Sequence, residues 1–184
     1  MNEERYYGHQ KEGYNYDDVS KKSEESFMAL KCGWTRKEII SYVKSRMKEV
    51  GLKIKDEGFI KYDRSRAQRH YAAHFRGSYE NATHFYKELE DYIVSDKVYG
   101  FIVEGKDAVK IGRQLIDPKE HEDEAKKAMT IRVIIPKILG LKEDKTSNVM
   151  HASDNAKSAQ EEIAIYKELR AEYKKAYEQD RDKQ

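Results

Sequence analysis

Apolar residues recur in two different rhythms along the chain, from about residue 26 to residue 168. Short apolar runs such as 26–31 predict buried strands, and we expect further strands over 52–62, 97–103 and 148–152. Apolar positions at steps of three and four predict the helices between them, over 35–50, 64–74, 81–94 and 105–112. A further apolar segment covers 130–138, and Pro136 is expected to break it. Thr35 and Glu38 have the spacing of a capping box, and Ser153 or Asp154 is expected to cap a last helix.

This order of elements is typical of one fold. It predicts an α+β protein with a ferredoxin-like βαββαβ arrangement, a four-stranded antiparallel sheet with helices on its faces. We expect one domain over 26–168, because 184 residues suit a single core. Residues 1–25 contain few aliphatic side chains, which predicts a polar N-terminal arm, and 169–184 predict a charged helical C-terminal extension.

Composition excludes several classes of partner and compartment. The 36 basic and 34 acidic residues nearly cancel, so nucleic acid is an unlikely partner and any phosphate binding must be local. A single cysteine, Cys32, excludes an internal disulfide and fits a reducing compartment. No apolar run is long enough for a membrane span, and no export signal is visible at the N-terminus. We therefore expect a cytoplasmic protein with no membrane partner.

One histidine stands where chemistry is favourable. His151 leaves the last predicted strand directly before a helix, and the positive potential of a helix N-terminus favours a phosphate group there. A neutral imidazole attacks through one nitrogen while an acceptor holds the proton on the other, and Glu162 is the candidate acceptor. Asn148 and Ser153 would add polar contacts.

Three cations complete a possible phosphate site. Arg113 and Arg132 have planar guanidinium donors that suit phosphate oxygens, and Lys31 offers a compact third charge. Together with His151 they suggest phosphoryl transfer, which usually uses Mg²⁺ to bridge the phosphates.

Each of these residues also has a structural interpretation. His151 would more often be an ordinary hydrogen-bonded residue, and Glu162 could pair with Lys157 or Arg170. The cations could be surface ion-pair partners, and the charge run over 117–127 could be a solvated face. Composition and periodicity leave these alternatives open.

Several motifs nevertheless resemble one enzyme family. The segment Asn148-Val-Met-His-Ala-Ser-Asp154 resembles the NxxHxSD signature of nucleoside diphosphate kinases, with Ala159 and Glu162 at the family's following spacing. Other family-like segments are Glu104-Gly105 with Arg113 (EGxxAVxxxR), Thr130-Ile131-Arg132 (TIR), His70-Tyr71 (HY), Phe85 to Tyr92 (FFxxLxxY) and the first strand, Phe27 to Lys31.

The resemblance implies a ping-pong kinase that moves the γ-phosphate from a nucleoside triphosphate, typically ATP, to a nucleoside diphosphate. His151 would carry the phosphate as a phosphohistidine, Glu162 would orient His151, and Ser153 would support Glu162. Lys31 would be a further catalytic group. Mg²⁺ would be held mainly by the nucleotide phosphates rather than by the protein, and the chain would form a homo-oligomer, a hexamer or a tetramer.

The resemblance also implies a nucleotide-binding set. Lys31 and Asn148 would contact the ribose and the terminal phosphate, Arg113 and Arg132 would bind phosphates, and Tyr71 would lie beside the phosphohistidine. Stacking of the base on an aromatic ring explains why such a site accepts many bases. The remaining members of the set are Phe85, which would stack on the base, Leu89 in the same segment, and Lys119.

Two segments depart from the family pattern. Lys31-Cys32-Gly33 replaces the family's Lys-Pro-Asp, and the stretch 114–129 is longer and lacks the family's Gly and phosphate-contacting Thr, near which Lys119 falls. These departures motivate the alternative hypothesis, a catalytically weak or inactive nucleotide-binding or scaffold protein that retains the fold.

Overall fold

The structure is a computed structural model that describes residues 23–72, 84–141 and 148–178. Within these ranges a 3₁₀ turn covers Pro118–Glu120, and a π-helical turn, Lys174–Glu178, follows the last α-helix. The strands and α-helices, in chain order, are β1 (Glu24–Leu30), α1 (Lys37–Glu49), β2 (Lys53–Ile60), α2 (Arg64–Ala72), α3 (His84–Ser95), β3 (Val98–Gly105), α4 (Ala108–Ile116), α5 (Glu124–Ala128), α6 (Ile131–Leu139), β4 (Met150–Ala152) and α7 (Ala156–Tyr173).

The four strands form one antiparallel sheet in the order β2-β3-β1-β4. This confirms the predicted ferredoxin-like fold. Strand β1 lies inside the sheet and is apolar on both faces, because side chains alternate along a strand and both faces are covered by helices. The short strand β4 is an edge strand, and it pairs only with β1 in the described part of the chain.

Helices cover the sheet in two layers, each with its own core. Buried residues of α1, α4 and α6 pack with Met28 and Leu30 on one face. Residues of α2, α3 and α7 pack with Phe27 and Ala29 on the other. Because β4 is at the edge, side chains from both layers can reach it.

Helix α7 lies unusually close to the sheet at Gly100. A Cβ added there would fall 2.6 Å from the ring of Tyr166, so no larger residue fits without a shift of α7. Gly100 pairs with Ala29, and these two small residues make room for Tyr166. This close packing brings Glu162, one turn earlier on α7, within reach of the sheet edge.

Three local expectations were wrong. Arg36, with no side-chain cap, precedes α1, so the capping box at Thr35 does not form. Asn155, rather than Ser153 or Asp154, caps α7 by accepting a hydrogen bond from Ser158 N, because the Ser153 hydroxyl is used elsewhere. Helix α6 continues through Pro136, whose burial in the apolar layer outweighs the lost backbone hydrogen bond.

Parts of the predicted organisation fall outside the described residues. These parts include nearly all of the N-terminal arm, the start of the helix predicted over 81–94, and the last residues of the C-terminal extension. The domain limits at 26 and 168 therefore stay a prediction. None of the described helices combines the length and the apolar character that crossing a membrane requires.

Candidate active site

The edge strand β4 presents His151 to the layer that contains α7. Its neighbours Met150 and Ala152 point into the opposite core, so alternation turns the imidazole the other way. His151 pairs with Ala29 of β1, and its ring centroid lies 6.1 Å from that of Phe27. The side chain is 13% exposed, so it is held by packing yet open on one side.

A chain of hydrogen bonds fixes the histidine. His151 Nε2 lies 3.0 Å from Glu162 Oε1, and Ser153 Oγ donates to Glu162 Oε2 at 2.5 Å. Ser153 Oγ is itself anchored, because it accepts from Phe27 N at 3.1 Å. Glu162 and Ser153 are both buried, so the chain connects α7, the β4–α7 turn and the central strand β1. We conclude that Glu162 pairs with His151, not with Lys157 or Arg170.

The charge of Glu162 decides which nitrogen of His151 is reactive. Burial alone would raise the pKa of Glu162, but the attraction of His151, its hydrogen bond, His70 and Ser153 together lower that pKa to about 2. Glu162 is therefore an acceptor-only carboxylate, and Nε2 of His151 is the donor to it. The lone pair of the neutral imidazole is thus on Nδ1.

A second histidine, His70, lies against the first. The ring centroids of His70 and His151 are 4.8 Å apart in an edge-to-face arrangement. Burial raises the pKa of Tyr62 well above its usual value, so its phenol keeps a proton and can donate to His70 Nδ1 at 3.2 Å. In the sequence, His70 belongs to a family-like His70-Tyr71 motif, but no role is predicted for it there. Its neighbour Tyr71, which is predicted to lie beside the phosphohistidine, is the signal that could have pointed to His70.

The two predicted phosphate arginines flank β4 from the other layer. Arg132, in the first turn of α6, donates from Nε to the carbonyl of Met150 at 3.0 Å. Arg113, near the end of α4, pairs through Nη1 with Asp154 at 2.9 Å. They thus hold the residues immediately before and shortly after His151.

A buried carboxylate lies between these arginines. Asp117 Oδ2 is 2.6 Å from Arg132 Nη1 and 3.4 Å from Arg113 Nη2, while Glu120 also contacts Arg113 Nη2 at 3.1 Å. One interpretation left open for the charge run over 117–127 was a solvated face, and the buried side chain of Asp117 does not fit that interpretation. The side chain is 7% exposed because α4 and α6 meet over it.

The other predicted residues fall at different distances from this centre. Lys31 follows β1 and is buried, and its backbone N–H donates to Val149 O on the chain leading into β4. Tyr71 is buried with its ring 5.0 Å from that of His70, and burial raises its pKa. Leu89 packs into the apolar core beside α7, and Lys119 is exposed in the 3₁₀ turn.

Two predicted nucleotide contacts need separate mention. Asn148 lies in the segment leading into β4, three residues before His151 and partly buried. Phe85 belongs to α3, but its side chain falls outside the described residues. The role predicted for Phe85 in stacking therefore stays a prediction.

Within the described residues, His70, His151 and Glu162 form a group that could hold a metal ion. One ligand atom from each lies within 4.8 Å of the others. His151 and Glu162 already share the hydrogen bond that sets the reactive nitrogen. A metal taking the lone pair of His151 would therefore block its use as a nucleophile.

Known proteins of one family match most of this chain. The family model for nucleoside diphosphate kinase matches residues 24–170. A nucleoside diphosphate kinase from Staphylococcus saprophyticus is 32% identical and covers 78% of this chain and 87% of its own length. Nucleoside diphosphate kinase 1 from Pisum sativum is 31% identical with the same coverage.

Solved structures show the same relationship. The nucleoside diphosphate kinase of Aquifex aeolicus superposes with a TM-score of 0.62 at 26% identity, covering 78% of this chain and 94% of that one. The enzyme from Borrelia burgdorferi, solved as a transition-state mimic with vanadate and ADP, gives 0.59 at 27% identity, covering 78% and 86%.

The fold and the matches define the class as a phosphotransferase built on a ferredoxin-like sheet. The chain belongs to the nucleoside diphosphate kinase family. Its activity is that family's transfer of phosphate between nucleotides, and the alternative of an inactive scaffold is not favoured.

Proposed function

We propose that this kinase works in two half-reactions through a phosphohistidine at Nδ1 of His151. The observation that carries the proposal is the hydrogen-bonded chain from His151 Nε2 through Glu162 to Ser153. It holds the imidazole in one orientation and one tautomer before any substrate binds. Such preorganisation is what a nucleophile needs to avoid reorganising during the reaction.

Neither half-reaction requires a further general acid or base, because no proton is transferred in either step. In the first half-reaction the lone pair of His151 Nδ1 forms a bond to the γ-phosphorus while the bond to the β–γ bridging oxygen breaks. The electron pair leaves with the nucleoside diphosphate. In the second, a terminal oxygen of the acceptor diphosphate attacks the phosphorus, and the P–N electron pair returns to Nδ1. The Nε2 proton stays on the ring, stabilised throughout by the Glu162 carboxylate.

The cations would bind the phosphates during both steps. Arg113 and Arg132 present guanidinium groups on either side of His151, and Lys31 lies where β1 meets the chain entering β4. Such groups offset the negative charge of the bound phosphates and hold them in place. Asn148, Tyr71 and Lys119 would make the further polar contacts.

Mg²⁺ fits this site as a companion of the nucleotide rather than a resident of the protein. The carboxylates nearest the arginines, those of Asp117, Glu120 and Asp154, all form ion pairs with Arg113. They do not offer a separate oxygen cage, which a protein-held magnesium would require. When bound with the nucleotide, the metal would neutralise part of the negative charge of the phosphates.

The remaining expectations concern substrates and assembly. ATP is the proposed donor, and broad acceptance of diphosphates would follow from stacking on Phe85 and packing beside Leu89. A cytoplasmic location is supported by the free, buried Cys32. A homo-oligomer, hexamer or tetramer, is proposed on the family resemblance and can be checked by light scattering after gel filtration.

A labelling experiment tests the phosphohistidine. After incubation with γ-labelled ATP and removal of nucleotide, the wild-type protein should carry phosphate that is labile in acid and stable in base. His151→Gln should carry none, because the amide offers no nucleophilic lone pair. His121→Gln is the matched control, since His121 contacts the carbonyl of Gln114 and lies outside the chain of bonds around His151. It should label like the wild type, and label persisting on His151→Gln would show that the nucleophile lies elsewhere.

A further inference from the structure

The carboxylate of Asp117 occupies an unexpected place for a phosphate-binding region. Its Oδ2 contacts Arg132 at 2.6 Å and Arg113 at 3.4 Å, so one negative charge is shared by both cations. Glu120 and Asp154 bring two more carboxylates to Arg113, at 3.1 and 2.9 Å. The arginines are therefore surrounded by acidic groups on the protein side.

Asp117 is held in this position more firmly than its neighbours. Its other oxygen, Oδ1, accepts a hydrogen bond from Lys119 N at 3.0 Å and caps the 3₁₀ turn. Its side chain is nearly buried, whereas those of Glu120 and Asp154 are 37% and 36% exposed. An exposed carboxylate can swing into water when an anion arrives, but Asp117 cannot leave without breaking the turn.

A fixed negative charge affects nucleotides according to their own charge. Binding of Mg²⁺ removes two units of negative charge from a nucleoside diphosphate, so the metal-free form is repelled more strongly by the same carboxylate. Loss of arginine positioning, by contrast, would weaken both forms by a similar factor. The ratio of the two affinities therefore separates a charge effect from a structural one.

We propose that Asp117 is a specificity-determining residue that makes the phosphate site discriminate against metal-free nucleotides. The proposal rests on the proposed function in one respect, that Arg113 and Arg132 bind the phosphates. The carboxylate of Asp117 both positions the two guanidinium groups and offsets part of their positive charge. A nucleotide therefore binds well only when Mg²⁺ has already reduced the negative charge of its phosphates.

Calorimetric titration with ADP tests this proposal through affinity alone, once in Mg²⁺ and once in EDTA. For the wild type we expect tighter binding in Mg²⁺. In Asp117→Asn the amide oxygen can still cap the 3₁₀ turn, while the negative charge is gone. We expect the ratio of the EDTA dissociation constant to the Mg²⁺ dissociation constant to fall about tenfold in this variant, whatever happens to the absolute values.

Glu124→Gln is the matched control for overall charge, because Glu124 is exposed and pairs with Lys127 outside the site. Its ratio should equal that of the wild type. If Asp117→Asn does not fold, as judged by its melting transition, Asp117→Ser replaces it, because a serine hydroxyl can also accept from Lys119 N and cap the 3₁₀ turn, and its ratio should fall by about the same factor. A ratio that is unchanged or higher in the folded variant overturns the proposal.

Arg113→Met distinguishes the two possible failures. If it weakens ADP binding while Asp117→Asn leaves the ratio unchanged, the discrimination by Asp117 is wrong and the phosphate role of the arginines stands. If Arg113→Met binds ADP as well as the wild type, the assignment of Arg113 to the phosphates falls, and the inference about Asp117 falls with it.

Discussion

The two halves of the site are stabilised in opposite ways. Around His151, each polar side chain has a defined hydrogen-bond partner. His151 bonds to Glu162, Glu162 bonds to Ser153, and Ser153 bonds to the backbone of β1. Around the arginines, by contrast, carboxylates outnumber guanidinium groups. The single side chain of Arg113 contacts Asp117, Glu120 and Asp154. One half resembles a finished hydrogen-bond network, and the other resembles a set of competing ion pairs.

The difference indicates that the two halves of the site have different functional requirements. Groups that must keep one geometry throughout the reaction, such as the imidazole, benefit from a buried network with low reorganisation. Arg113 would exchange the exposed carboxylates of Glu120 and Asp154 for phosphate when a nucleotide arrives, and partly exposed ion pairs of this kind are weak enough to be replaced. Variants of the two halves should therefore affect different kinetic quantities.

The largest effect is expected in the histidine half. Glu162→Gln keeps an acceptor near His151 Nε2 but removes the negative charge that stabilises the phosphorylated ring. We expect kcat to fall about a hundredfold while the affinity for ADP changes little. Rapid-quench measurement of phosphohistidine formation and calorimetry with ADP give the two quantities. If Glu162→Gln instead loses ADP affinity and forms phosphohistidine at the normal rate, the proposed difference between the two halves of the site is wrong.

A somewhat smaller effect is expected in the arginine half. Arg132→Met removes a guanidinium that would bind phosphate, and charge-assisted hydrogen bonds of this kind account for about thirtyfold in affinity. We expect the ADP dissociation constant to rise by that factor, while phosphohistidine formation at saturating ATP stays within a fewfold of the wild type.

The control for this variant is Arg66→Met. Arg66 has similar exposure and also pairs with carboxylates, including Glu168 and Glu172, but these pairs join α2 to the C-terminal part of α7. Its loss should lower the melting temperature slightly and leave ADP binding unchanged. Equal weakening of ADP binding in the two variants would indicate a general effect of charge rather than phosphate contact.

The smallest effect concerns stability in acid. The pKa of Glu162 is about 2 in the folded protein and near its usual value of 4.5 in the unfolded chain. Its contribution to stability is therefore complete above the unfolded pKa and is lost as the pH falls towards 2. Between pH 5 and pH 3.5 the wild type should lose about 1 kcal/mol more than Glu162→Gln. Urea unfolding at both pH values measures this difference. If the free energy of unfolding falls equally in the wild type and in Glu162→Gln, the charge of Glu162 does not stabilise the fold.

Most of the fold was accessible from pattern alone. The apolar run before Lys31 and the amphipathic segment after it gave β1 and α1 within a few residues. Helix boundaries were harder to predict, because a side chain that could cap a helix can also form a hydrogen bond elsewhere in the folded chain. Ser153 has the right residue type to cap α7, yet its hydroxyl bonds to Glu162 and Phe27, and Asn155 takes the capping position.

The candidate site divides in the same way. The residues His151, Ser153 and Glu162 were predicted to act together on the resemblance of 148–162 to the family motif, and they do form one chain of hydrogen bonds. Asp117 looked like the first residue of a solvated charge run, and His70 looked like one histidine among six. Their places depend on contacts between elements far apart in the chain, which local pattern does not encode.

By itself, then, the sequence determined the order of strands and helices through its periodicity, and its motifs carried the resemblance to one family, from which His151 is predicted as the nucleophile and Glu162 as the residue that orients it. The tertiary structure alone decided that β4 is an edge strand reached from both layers, that His70 packs against His151, and that Asp117 lies between the two arginines. The physical reason is that burial and charge pairing depend on which distant surfaces meet, and only the packed chain brings those surfaces together.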